Sequence, residues 1–135
     1  MEKVYRISDR IRLDVEGLIV TISPLTFAEK AEIQALMASG DFLKAMESAR
    51  KAVKYAVKGV EGLQYPDGTA FNVELSEGSL SDATVDELFN VPQSEKLAFA
   101  CMNLLNSIPK DFVDPNTGEK MKGVKIVKES PGKKK

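Results

Sequence analysis

Between Asp41 and Val60 the apolar residues Phe42, Met46, Ala49, Val53, Ala56 and Val60 recur at alternating spacings of four and three. That spacing is the seam of a helix that packs lengthwise on another. A seam of this length needs a second apolar surface, and its small alanines let the partner approach closely. The segment after Ser94 supplies one. Leu97, Cys101, Leu104 and Ile108 form a stripe, widened by Ala98, Met102 and Leu105, until Pro109 ends the pattern. The two helices are predicted to form the spine of the core.

Shorter elements surround them. Thr26-Phe27-Ala28-Glu29 has the spacing of a capping box, with Thr26 accepting from the Glu29 amide and Glu29 reaching back. The helix it opens is expected to bury Phe27, Ala31, Ile33, Leu36 and Met37 and to stop at Ser39-Gly40, where glycine suits the left-handed conformation. Asp41 then caps the seam helix. Thr84-Val85-Asp86-Glu87 repeats the capping-box pattern before Leu88-Phe89, predicting a short further helix that Pro92 redirects. Ahead of these, Val4-Tyr5-Arg6-Ile7 and Ile11 to Val15 alternate apolar with polar residues, and Leu18 to Ile22 is apolar and β-branched. They read as an antiparallel β unit over residues 4–22, turning at Glu16-Gly17. From Gly59 to Gly78 the helical period disappears, and Tyr65-Pro66-Asp67-Gly68 marks a turn in a short hairpin or ordered loop.

The expected fold class is therefore α+β and predominantly α-helical: a small N-terminal antiparallel β unit followed by about four helices. A chain of 135 residues suits one core. Residues 1–112 are expected as a single mainly helical domain and 113–135 as a flexible basic tail. The net charge of −1 hides a split, because Lys120 to Lys135 holds seven lysines against Glu129 alone, leaving −7 on the preceding body. No stretch approaches the roughly eighteen apolar residues of a membrane span, and the N-terminus has no apolar targeting region. A cytoplasmic protein is expected.

The chain has no histidine, which excludes Ser-His-Asp and Cys-His catalysis and histidine-containing zinc sites. A lone cysteine, Cys101, rules out an internal disulfide and a four-cysteine metal site, and it reads as a small core residue. Lysine or carboxylate catalysis would require a buried charged constellation that the sequence does not display. The expectation is a non-enzymatic binding protein without cofactor or metal. Asp114-Pro115-Asn116-Thr117-Gly118-Glu119 imitates a calcium loop but has Gly at its fifth position, Glu at its sixth and Lys125 at its twelfth, so it is read as a turn. Glycine-rich phosphate loops are missing too.

Two basic features remain. Lys44, Arg50, Lys51, Lys54 and Lys58, with Glu47 among them, lie largely off the seam and read as a solvated face, with phosphate binding as the sharper alternative. The C-terminal lysines lack the arginines and aromatics of base recognition and follow an acidic body, making nucleic acid an unfavoured partner. Met121-Lys122-Gly123-Val124-Lys125-Ile126-Val127 alternates enough to add as a strand to a sheet edge, in this molecule or a neighbour. The candidate protein-binding residues are accordingly Phe42, Met46, Val53, Met121, Val124, Ile126 and Val127. Met37, Met46, Met102 and Met121 could instead serve adaptable surfaces or fill the core.

In layout the chain resembles the tail assembly chaperones of long-tailed bacteriophages with flexible, non-contractile tails. The likeness rests on the β-rich opening, the Pro24-Leu25-Thr26-Phe27-Ala28-Glu29-Lys30 entry to a helical body, the Tyr65-Pro66-Asp67-Gly68 turn and the helical stretch ending near Ile108-Pro109. It implies a protein made in the infected bacterial cytoplasm and missing from the mature virion. Such a protein binds the long helical tape measure protein and yields it to the polymerising tail tube. The implied partners are the tape measure protein, copies of the chain itself, a frameshift-extended form of it and the tail tube protein. Gly132-Lys133-Lys134-Lys135 permits, depending on codons, the slippery sequence at which such a frameshift occurs. The rival readings are a structural head-to-tail joining or tail-completion component and a nucleic-acid-binding regulator.

Overall fold

The computed structural model describes residues 3–130. Strand β1 (Arg10–Val15) turns through Glu16-Gly17 into β2 (Leu18–Ile22). Both turn residues have positive φ, 51° and 93°, the geometry that matches the twist of a two-residue hairpin. Asp14 stabilises it by accepting from the Gly17 amide at 2.7 Å. The predicted hairpin is present, but residues 4–7 are not a strand: Val4 and Ile7 are exposed, and Asp9 instead closes a turn by accepting from the Arg6 amide.

Helices α1 (Phe27–Met37) and α2 (Phe42–Ala56) follow as an antiparallel pair, and the Thr26/Glu29 capping box is fully formed. The seam does not continue as helix to Val60. After Ala56 the chain becomes extended at Val57, and β3 (Val57–Glu61) pairs with β2. Val57 and Val60 are β-branched and lie opposite Ile22 and Val20, so pairing with apolar β2 outweighs one further helical turn. Apolar spacing alone cannot separate these outcomes, because Val60 faces inward in either.

The short hairpin β4 (Leu75–Ser76) and β5 (Ser79–Leu80) leads into α3 (Asp82–Leu88). Its cap is Ser81, which accepts from the Thr84 amide, so α3 begins a turn earlier than Thr84 would have it. Helix α4 (Ser94–Asn103) packs on α2 as expected but ends well before Pro109. Asn103 decides this. Its amide donates to the Phe99 and Val113 carbonyls, each at 2.8 Å, while its oxygen accepts from the Val113 amide, so the side chain holds the returning chain like a strand partner.

The largest departure lies in the segment expected to be tail. Phe112, 1% exposed, and buried Met121 anchor the connection, and β6 (Val124–Ser130) pairs antiparallel with β1. The main sheet is thus four-stranded in the order β3-β2-β1-β6. Of the two placements open to the 121–127 segment, the strand sits in its own molecule. Residues 131–135, with the last three lysines, lie outside the described part. Helices hold 34% of residues and strands 24%, an α+β mix with too much sheet to be predominantly helical.

One sheet face makes the core. Ile11, Leu13, Val15, Leu18, Val20, Ile22 and Val57 are buried there with Ile33 of α1, Ala52, Val53 and Ala56 of α2, and Leu97 and Cys101 of α4. The opposite face presents half-exposed Arg10, Arg12, Asp14, Ile19 and Thr21. Among the described residues no helix is long and apolar enough to cross a membrane.

Candidate protein-binding surface

The α1–α2 hairpin projects its closed end away from the core. In α2 the buried positions are Ser48, Ala52, Val53 and Ala56, all in the later part of the helix. In its first turns Phe42 is 75%, Leu43 73% and Met46 56% exposed, and Met37 at the end of α1 is 47% exposed. The seam therefore runs out of the core into solvent: its last turns are buried, while Phe42 and Met46 in its first turns are exposed. Asp41 fixes the start of α2 by accepting from the amides of Leu43 and Lys44. Gly40, at φ 77°, makes the tight reversal from α1. Met37 also lines a recess of about 430 Å³ with Met102, Leu105 and Pro115, so the uncovered surface continues into a concavity.

The remainder of α1 is only lightly covered. Ile33 is its single buried residue and Leu36 is half-buried, whereas Phe27, Ala31 and Met37, expected inside, are exposed. Ionic and hydrogen-bonded ties also join this helix to α2. Lys51 reaches Glu32 at 3.3 Å, and Tyr55 donates to Glu32 at 2.6 Å. Burial and then this bond push the Tyr55 phenol up to about 12. The bond from Tyr55 draws the Glu32 carboxyl below its ordinary range, with Lys51 adding to the effect.

The basic face of α2 is thereby reassigned. Arg50 pairs with Asp82 and Asp86 of α3, and Lys54 with Asp82 at 3.0 Å and the Leu80 carbonyl at 2.9 Å. The hydrogen bond from Lys54 and the nearby charges of Lys54 and Arg50 hold Asp82 below its usual value. Arg50, Lys51 and Lys54 are internal clamps, neither a free solvated face nor a cradle for phosphate.

The seven sequence candidates divide. Phe42 and Met46 lie at the hairpin tip and Val127 is exposed on β6, while Ile126 is half-buried. Val53, Met121 and Val124 are core residues. The last three are spent on the fold and are withdrawn as contacts. Met37, read from the sequence either as core of its helix or as part of an adaptable surface, belongs to the tip, and so does Leu43, which was missed; the available signal was an apolar residue beside the seam in the first turn after a cap. Asp114 to Glu119 closes a turn, with the Gly118 amide donating to Asp114 at 2.7 Å.

No protein-family model, curated protein or solved structure matches the chain.

Proposed function

We propose that this chain is a tail assembly chaperone of a long-tailed phage, a non-enzymatic protein that holds the tape measure protein and promotes assembly of the tail tube around it. The observation that carries the reading is the uncovered apolar tip of the α1–α2 hairpin, Met37, Phe42, Leu43 and Met46. It accords with the layout that resembles those chaperones. Full burial of such side chains is worth roughly 1.5–3 kcal/mol each, while association costs several kcal/mol or more. A patch of this size gives contacts that hold an amphipathic client helix and release it again. The two methionines adapt to varied client surfaces along a long repetitive helix. On this reading the protein acts in the infected host cytoplasm and leaves the tail before completion.

Co-expression provides the test. The wild-type chain should keep the tape measure protein of the same genome in the soluble fraction. The triple variant Phe42→Ser, Leu43→Ser, Met46→Ser, which removes no buried side chain, should keep its circular dichroism spectrum and lose that capacity. A variant that still holds the client excludes the tip as the binding surface. Failure of the wild type to hold it defeats the chaperone reading, and recovery of the chain from purified virions transfers the argument to a structural joining component.

A further inference from the structure

The residues of α1 suit helix formation better than they suit burial. Ala28, Ala31 and Ala35 are strong helix formers, and the capping box satisfies the first turn from within the helix itself. Burial contributes little. Ile33 is the single buried residue among the eleven of α1, whereas α4 buries Leu97, Ala98, Ala100 and Cys101 among ten. The polar ties to α2 converge on one exposed carboxylate, because Lys51 at 3.3 Å and Tyr55 at 2.6 Å both bind Glu32. Lys51 also lies 5.7 Å from the centre of the Tyr55 ring, so the two partners of Glu32 support each other. Lys30 adds a long hydrogen bond, 3.5 Å, to the Asn106 carbonyl.

Both ends of α1, by contrast, are pinned to the body. Ser23 is buried and its amide donates to the Ala56 carbonyl at 2.9 Å, and Leu25 is buried just ahead of the cap. At the other end Gly40 makes the reversal and Asp41 fixes the start of α2. Between these points one side of α1 borders a gap. Gln34, Met37 and Ala38 line the recess of about 430 Å³ together with Met102 of α4, Leu105 and Pro115. The seam between α1 and the end of α4 is thus already parted.

We propose that α1 is a lid: residues 26–40 open as a unit while the sheet and the other helices stay folded, with Ile33 as the apolar anchor and Glu32 as the latch. Opening separates Gln34, Met37 and Ala38 from Met102, Leu105 and Pro115, and turns the recess into an apolar trough at the end of α4. Ile33, buried when the lid is closed, then joins Met37 on the exposed surface. The fold thereby holds apolar surface in two states, a small patch when closed and a larger one when open. The lid is a property of the free chain, so its test contains no client and is decided separately from the chaperone reading.

Native-state hydrogen exchange of the full chain tests it. A helix of this length released from its packing is marginal in water, so the amides of α1 report each opening. They should be protected about a hundredfold less than those of β2, and as one group. Val85→Ala, a core change in α3 away from α1, should lower β2 protection about tenfold and leave α1 unchanged, because Val85 stays packed when the lid alone opens. Low urea makes the same distinction without a mutation, since the lid exposes far less surface than global unfolding. Glu32→Ala should lower α1 protection about fivefold, the loss expected for one exposed polar tie, and β2 protection by the same factor, because both openings break the latch. Equal protection of α1 and β2, or α1 protection that falls with β2 in Val85→Ala or in urea, overturns the lid. α1 protection that Glu32→Ala leaves unmoved overturns the latch.

Discussion

Tyr55 and Glu32 share a hydrogen bond that ties the lightly packed α1 to α2, and its two ends titrate on opposite sides of neutrality. Glu32 has a lowered pKa, so its contribution is present above the ordinary carboxylate range and is lost as pH falls below about 4. Tyr55 is raised, so its contribution is complete below its ordinary value near 10 and is lost as pH rises through about 12. Urea unfolding should give a broad plateau of stability between these limits. Tyr55→Phe should lower the plateau by about 1 kcal/mol and make the alkaline fall shallower; an unchanged alkaline limb would remove this pair from the account. Gly123 offers a second residue-scale test. It sits at φ 80°, its carbonyl accepts from the Glu16 amide at 2.7 Å, and an added Cβ would lie 2.8 Å from Glu16 Cγ. The half-exposed Glu16 side chain would have to shift from its 2.9 Å contact with Lys96, and the left-handed φ strains any residue with a Cβ. Gly123→Ala should therefore cost more than about 1 kcal/mol in the same assay.

Among the elements, β6 changes the reading of the chain most. Inward-facing Val124 and Ile126 alternate with exposed Lys125, and β1 partners the strand along its whole length, Arg10 through Val15. Without β6, β1 becomes the sheet edge, and Leu13 and Val15 lose the cover that Ile126 and Val124 give. Amides of β6 that bond to β1 should exchange slowly in native-state hydrogen exchange, within about 1–2 kcal/mol of those in β2. Rapid exchange, at the rate of a free peptide, would return the segment to the status of a tail. The α1–α2 hairpin behaves oppositely. Its helices are set by caps and ionic ties, leaving much of its apolar surface outside the core.

For the molecule as a whole, the exposed tip of the α1–α2 hairpin is the surface on which the proposed client binding rests. The chaperone reading also predicts a second, longer product when the chain is expressed from its native gene with the downstream DNA, sharing this N-terminus and diverging within the last lysine codons. Intact-mass measurement shows it directly. A single mass would remove the frameshifted partner from the scheme and leave client retention as the remaining support for the assignment.

Local chemistry was legible in the sequence wherever neighbours along the chain settle the outcome. The Glu16-Gly17 turn, the Thr26/Glu29 capping box, the Asp41 cap and the pairing of α2 with α4 all follow from spacing and side-chain type. Contacts between distant segments decided the rest. Val57 to Glu61 left the helix because β2 offered apolar partners, Asn103 ended α4 because Val113 returned to it, and 124–130 became a strand because β1 had a free edge. The candidate surface divides in the same way. A seam written evenly from Phe42 to Val60 shows that the helix is amphipathic. Which half is buried depends on how far α4 and the sheet extend along it, and that is a property of the packed molecule.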